Sequence, residues 1–217
     1  AVVCDRKGGE LLATSPKTNF LTFIGSGPVG WYLNSKVSPG TRVALEHGGV
    51  APVIVEADAD IHDMIPALAK GGFYHAGQVC VSVQRIYVQE TIFDEVANKL
   101  AAVASKLVVG DQLDTKTEVG PLINHDEVNR VEEWVNDAIA KGATILTGGK
   151  RIGNSCFEPT VILNPSEDAI ISQKEIFGPV VCIYSYKTLD EAIARANSLE
   201  VSFQAAVFTK NIDTALK

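Results

Sequence analysis

Cys80, in the run Phe73-Tyr74-His75-Ala76-Gly77-Gln78-Val79-Cys80-Val81-Ser82, is the sharpest candidate nucleophile in this chain. Its lead-in from Gly71-Gly72 is glycine-rich and mixes polar with apolar groups. A thiol there could lie partly exposed in a cleft and be held as thiolate by a nearby base or by backbone dipoles. The competing reading is burial, because free cysteine usually behaves as a small hydrophobe. Burial suits Cys4 and Cys182, each inside a strand-like pattern, and extends to Cys156. The four cysteines lie far apart with no CxxC pair, which argues against a zinc site, a redox dithiol or a disulfide framework. On a continuous helix His75 would be rotated by roughly 140° from Cys80, poor geometry for a Cys-His hydrolase. His62 and His125 lie among acidic residues at expected helix starts and read as surface histidines. With four histidines and no cluster, no metal site is expected.

Three other stretches carry candidate chemistry. Glu46 closes the apolar run Val43-Ala44-Leu45 and precedes His47-Gly48-Gly49. A strand-end carboxylate beside a glycine pair that admits close approach suits a general base, but pattern alone favours an ordinary solvated glutamate. Gly25-Ser26-Gly27-Pro28-Val29-Gly30 follows the apolar run Phe20 to Ile24 and precedes a helical pattern through Trp31, Tyr32 and Leu33. Strand, glycine-rich turn and helix N-terminus together make the physical form of a phosphate site. Glu46 is the one strand-end acid at about the spacing a dinucleotide fingerprint needs, so pattern alone favours an ordinary turn. Last, Glu175-Ile176-Phe177-Gly178-Pro179-Val180 sets a fixed turn before a strand. Its phenylalanine could form a flat wall for a planar ligand or be a buried turn residue.

These groups must be positioned by an α/β framework. Apolar runs of strand length alternate with helical patterns, the arrangement of a sheet covered by helices. Strands are expected at Phe20 to Ile24, Arg42 to Glu46, Pro52 to Glu56, Gln84 to Gln89, Thr144 to Thr147, Thr160 to Leu163, Val180 to Tyr186 and Ala205 to Thr209. Helices are expected at Ile92 to Leu107, Val128 to Lys141 and Leu189 to Ser198, the last opening on Asp190-Glu191 at the positive end of its dipole. Val109 to Asn124 and Gly148 to Thr160 read as long turn-rich connections.

The 217 residues carry a formal charge of −7, which disfavours nucleic acid or an anionic membrane as partner. No apolar run approaches the roughly 20 residues that span a bilayer, so a soluble, cytoplasmic protein is expected. The chain opens on the strand-like run Ala1-Val2-Val3-Cys4 without an initiator methionine, which points to a piece of a longer polypeptide.

In order, FIGS, ALEHGG, GQVC, EIFGPV, ARANS and AAVFTK, the motifs resemble the aldehyde dehydrogenase superfamily over most of the chain. The resemblance implies the catalytic-domain-like mixed or parallel sheet flanked by helices of that family. Residues 1–46 would be the C-terminal remnant of an NAD(P)-binding domain, and residues 47–217 a catalytic, thiol-bearing domain truncated at its C-terminal end. It further implies Cys80 as nucleophile, Glu46 as general base, Glu175 and Phe177 against the nicotinamide riboside of NAD or NADP, and Gly25 and Ser26 under the pyrophosphate, with Val29 against the cofactor. The reaction implied is oxidation of a small-molecule aldehyde to a carboxylic acid through a thiohemiacetal and a thioester, in a parent that is a homodimer or homotetramer.

This sequence departs from the family pattern at Ile24, His47, Val50 and Lys174, where threonine, leucine, lysine and glutamate are usual. Its upstream Pro-Trp-Asn segment, its adenosine-ribose lysine and its C-terminal glycine-rich segment are missing, so the 217 residues alone are expected to oxidise aldehyde poorly or not at all. The competing readings are a coenzyme A-acylating relative, disfavoured by Glu46, and a non-catalytic structural or binding relative.

Overall fold

Asp5 opens the first helix, α1 (Arg6–Thr14), by accepting the Gly8 N–H at 2.8 Å. The computed structural model describes residues 1–217, and its contacts separate Ala1–Gly48 from Gly49–Lys217. The apolar opening before Asp5 forms no strand, against expectation, and both Val3 and Cys4 are exposed. Four residues without a pairing partner cannot hold an extended conformation, and the Asp5 cap turns the chain into a helix at once.

In the first unit β1 (Phe20–Gly25), α2 (Gly27–Asn34) and β2 (Arg42–His47) form a parallel βαβ unit, with Phe20 opposite Arg42 and Gly25 opposite His47. Leu21, Phe23, Val43 and Leu45 form its half-buried face, and the alternate residues are exposed. The missing side chain at Gly30 leaves room for Phe23 and Leu45, so α2 can close on the strands.

The second unit runs β3 (Ala51–Val55), α3 (Ile61–Phe73), β4 (Val83–Gln89), α4 (Phe93–Ala104), α5 (His125–Ala140), β5 (Thr144–Thr147), β6 (Arg151–Ile152), β7 (Cys156–Phe157), β8 (Thr160–Leu163), α6 (Ile170–Gln173), β9 (Val180–Tyr186), α7 (Leu189–Ala196), β10 (Ala206–Phe208) and α8 (Ile212–Ala215). Its six-stranded sheet has the order β10-β3-β4-β9-β8-β5, parallel throughout except for β5 against β8. This is the expected α/β class, a mixed sheet flanked by helices. The central strands β3, β4 and β9 are buried along nearly their whole length, which explains their richness in Val, Ile and Tyr. Helices α3 and α4 pack together and onto the sheet, and α7 lies against β3, β4 and β9. Cys182 is buried in β9 and Cys156 in β7.

The connection from Gly148 to Thr160, expected as loop, contains the antiparallel β6-β7 hairpin. The connection from Val109 to Asn124 stays irregular apart from a bridge between Val109 and Val119. No helix is long and apolar enough to cross a membrane.

Arg85 is the one fully buried charge in the sheet, and no carboxylate pairs with it. Its guanidinium donates to the carbonyls of Arg195 and Ala196, at 3.4 and 3.2 Å, at the C-terminus of α7. The negative end of the helix dipole and those last-turn carbonyls stand in for a counter-ion, so the charge holds α7 on β4. Apolar packing supplies the rest of the cohesion, and Leu100 of α4 is fully buried. Leu100→Ala should lower the unfolding free energy by about 2–5 kcal/mol in urea titration. A loss below about 0.5 kcal/mol would show that α4 does not pack as described.

Candidate active site

In the first unit, the strand register places Glu46 opposite Ile24, one residue before Gly25, at the C-terminal end of the parallel pair. Its side chain lies on the exposed face of β2. Ser26 is the N-cap of α2 but makes no side-chain capping bond, and the first intrahelical bond runs from the Gly30 N–H to the Ser26 carbonyl. The first-turn N–H groups are therefore open to an anion, as helix N-termini commonly are. Val29 projects from the same turn and is 47% exposed. His47 packs its ring edge-on to Trp31 at 5.8 Å and beneath Gly27, so the imidazole supports the turn from below.

In the second unit the thiol sits on an unusual turn. After α3 the chain takes three successive left-handed residues, His75, Ala76 and Gly77, with φ of 50°, 55° and 68°. The continuous helix on which the His75 rotation was reckoned does not exist. His75 is exposed and tilts against Tyr74. A turn closed by the Ser82 N–H on the Val79 carbonyl then presents Cys80, which is half-buried. No hydrogen bond within the chain engages the Cys80 N–H, which leaves it available as a donor. Gln78 ties this turn to the loop before α5. It accepts from the Ile123 N–H at 2.9 Å and donates to the Pro121 carbonyl at 3.2 Å.

Two glycines join this turn to its neighbours. A Cβ on Gly77 would lie 2.0 Å from the Gly178 carbonyl oxygen, and one on Gly49 would lie 2.0 Å from the Cys80 carbonyl oxygen. Only hydrogen fits at either place. The Gly49 N–H also lies near enough to the Glu175 carboxylate to favour its charged form, so a single residue neighbours both the cysteine segment and the glutamate. Glu175, Phe177 and Cys80 are thus brought together through Gly49 and the Gly77–Gly178 contact. Gly25, Ser26, Val29 and Glu46 belong to the other unit.

The turn from Lys174 to Gly178 is held by side chains the sequence reading did not single out. Gln84 accepts from the Ile176 N–H at 2.8 Å and donates to the Lys174 carbonyl at 2.6 Å. Arg130 of α5 donates to the Ile176 carbonyl at 2.7 Å, pairs with Glu127 at 2.7 Å and lies 4.5 Å over the Trp134 ring. Gln84 had a signal in sequence, an amide at the start of a largely apolar strand, whereas nothing local marked Arg130. The turn leaves Phe177 at a φ of 47° and 40% exposed, an outward wall rather than a buried ring.

Burial pushes the Glu175 carboxyl up from its ordinary 4.5 to about 7, against the opposing pull of Arg130 and of the Gly49 N–H. Near neutral pH the group is poised between acceptor-only carboxylate and neutral acid.

The aldehyde dehydrogenase family model matches residues 1–217, and the chain belongs to that family. Among curated relatives, it is 41% identical over 209 residues to the 3-sulfolactaldehyde dehydrogenase of Priestia aryabhattai, covering 96% of this chain and 43% of that protein. Among solved structures, it superposes with a TM-score of 0.93 and 38% identity on the NAD-dependent aldehyde dehydrogenase of Sinorhizobium meliloti, covering 97% of this chain and 43% of that one. The glyceraldehyde-3-phosphate dehydrogenase of Methanocaldococcus jannaschii, complexed with NADP, gives a TM-score of 0.90 and 40% identity over 96% of this chain and 45% of that one. The chain therefore spans less than half the length of the relatives it matches.

The raised Glu175 carboxyl has a consequence for stability. Its pKa in the folded state exceeds its unfolded value, so the folded state binds the proton more tightly. That contribution is fully present below about pH 4.5 and is lost as pH rises through 7. Glu175→Gln should remove the dependence, gaining about 1–2 kcal/mol on the wild type between pH 4.5 and 8 once solvent screening of a half-buried group is allowed for. Parallel stability–pH curves for the two proteins would contradict the burial of this carboxyl.

Proposed function

We propose that this chain is the part of a longer protein that carries out NAD- or NADP-dependent oxidation of an aldehyde to a carboxylic acid. Residues 1–46 would be the end of the dinucleotide-binding domain and residues 47–217 most of the catalytic domain, a division that falls two residues from the boundary between the compact units. The observation that carries the reading is Gly49, which presses on the Cys80 carbonyl while its N–H favours the charged form of Glu175, so that a half-buried thiol and a partly desolvated carboxylate share one neighbourhood.

The residues present fit a nicotinamide dinucleotide. Glu175 offers an acceptor for ribose hydroxyls, Phe177 an exposed aromatic wall for a flat ring, and the open first turn of α2 with Gly25 and Ser26 a cradle of N–H donors for phosphate, with Val29 beside it. Bound there, the dinucleotide supplies the hydride acceptor. Cys80 as thiolate adds to the aldehyde carbonyl to give a thiohemiacetal, and its own N–H, free in this structure, stabilises the charge that develops on the former carbonyl oxygen. Oxidation of that adduct leaves a thioester. Glu46 then takes a proton from the water that cleaves the thioester, which releases the acid and regenerates the thiol.

In the full-length protein, Cys80→Ser should abolish aldehyde oxidation. Glu46→Gln should slow steady-state turnover by roughly 10²–10⁴-fold while keeping a burst of about one reduced cofactor per site, because acylation precedes the step that needs the base. Acyl-coenzyme A as the product would favour acyl transfer instead, and undiminished turnover by Cys80→Ser would overturn the reading. The 217 residues alone should show little or no turnover, and a rate typical of an enzyme would overturn their assignment as part of a longer catalyst.

A further inference from the structure

Gln84 stands near the start of β4 and is buried to 4% exposure. A glutamine side chain has one acceptor oxygen and two N–H donors, and here all are spent on a single stretch of backbone. Its Oε1 accepts from the Ile176 N–H at 2.8 Å, and its Nε2 donates to the carbonyls of Lys174 at 2.6 Å and Ile171 at 3.3 Å. The first two of these groups lie on either side of Glu175. In extended backbone, which Lys174 adopts with φ −128° and ψ 157°, such a carbonyl and N–H face the same way and a neighbouring strand would pair with both. No strand lies there, and the Gln84 amide takes its place.

The turn needs that support. Phe177, the next residue but one, is held at a φ of 47°, a conformation that disfavours a non-glycine residue and persists only where its surroundings impose it. The sheet does not otherwise need an amide at this position, since Ile86 and Val88 further along β4 are apolar and fully buried. An unpaired buried amide would itself be destabilising, so the residue fits its place only because of the backbone it grips.

We propose that Gln84 is a positioning residue for the cofactor site: by clamping the peptides on both sides of Glu175, it sets the direction of that carboxylate and of the Phe177 ring, and with them the affinity for the nicotinamide half of the dinucleotide. This rests on the reading of Glu175 and Phe177 as contacts of that cofactor. One short segment then carries both the nucleophile, at Cys80, and the group that orients the cofactor wall.

The test uses the full-length protein with Gln84→Met, which removes all three bonds, and Gln84→Glu, which keeps an acceptor for the Ile176 N–H but sets carboxylate oxygen against two carbonyls. Both variants should raise KM for NAD or NADP by about tenfold or more, while kcat at saturating cofactor changes by less than about threefold. Alkylation of Cys80 by iodoacetamide without cofactor should stay within about twofold of wild type, which a general collapse of the segment would not allow. Amide exchange at Ile176 should quicken in Gln84→Met and stay slow in Gln84→Glu. An unchanged cofactor KM in both variants, or a KM increase matched by loss of Cys80 alkylation, would overturn the role of Gln84. Absence of both aldehyde turnover and dinucleotide binding in the wild-type parent would instead overturn the reading on which it rests.

Discussion

The contact on which the second unit's site depends is one between backbones. Gly49 lies so close to the Cys80 carbonyl, and Gly77 to the Gly178 carbonyl, that neither position can carry even a methyl group. These contacts join the segments that lead into β3, β4 and β9, three adjacent parallel strands. The cysteine and the glutamate therefore meet at the N-terminal ends of the strands. Open parallel sheets usually place ligands at the other edge, where helix N-termini offer positive dipole ends. Here α3 delivers its C-terminus to the turn before Cys80. Anionic groups at this edge must be served by individual loop amides, and a Glu175 carboxyl held at about 7 despite the nearby Gly49 N–H shows how partial that service is.

The polar residues inside the sheet follow one logic. Gln84 and Arg85 are consecutive on β4, so their side chains leave opposite faces of the strand. Gln84 spends its amide on the turn around Glu175, and Arg85 spends its guanidinium on the end of α7. Neither has a side-chain ion partner. Each replaces apolar contact with directional bonds to backbone, which fixes where a loop or a helix must stop. Apolar burial of β3, β4 and β9 makes the sheet cohere, and the two polar residues decide how its surroundings are aimed.

The buried parallel strands were legible because strands covered on both faces are rich in apolar residues, and β8 and β9 fall at the expected residues, as does the antiparallel edge strand β5. Helix α1 was not, because Gly8 and Gly9 weaken its pattern and its stability begins with the Asp5 cap. Helix α3 carries the apolar stripe Met64, Ile65, Leu68 and Phe73, but Pro66 and the Gly71-Gly72 pair obscure it. The close approach of Gly72 to Val181 explains that glycine. At the site, glycine spacing and strand-end placement marked Cys80 and Glu46 as candidates, while Glu175 was singled out only by the family resemblance. The clamps stayed hidden because Gln84 and Ile176 lie 92 residues apart in sequence, and pairing at that range is a property of the fold. Cys4 misled for the complementary reason, since a strand-like run means burial only where a partner strand exists.

The two units differ in what makes them rigid, and the difference bears on the proposed chemistry. Cys80, Glu175 and Phe177 stand at the rim of a six-stranded sheet with a dry core. Gly25, Ser26, Val29 and Glu46 stand on a two-stranded parallel pair whose apolar face is only half-buried, with Phe20, Ile24 and Trp31 largely exposed. Two strands and their helices bury too little apolar area to hold a turn rigid by themselves. A phosphate cradle and a general base both need fixed direction, because a shift of about 1 Å is enough to cost much of the rate. The first unit, with its half-buried apolar face, is therefore the less rigid support for the groups it contributes to the proposed reaction.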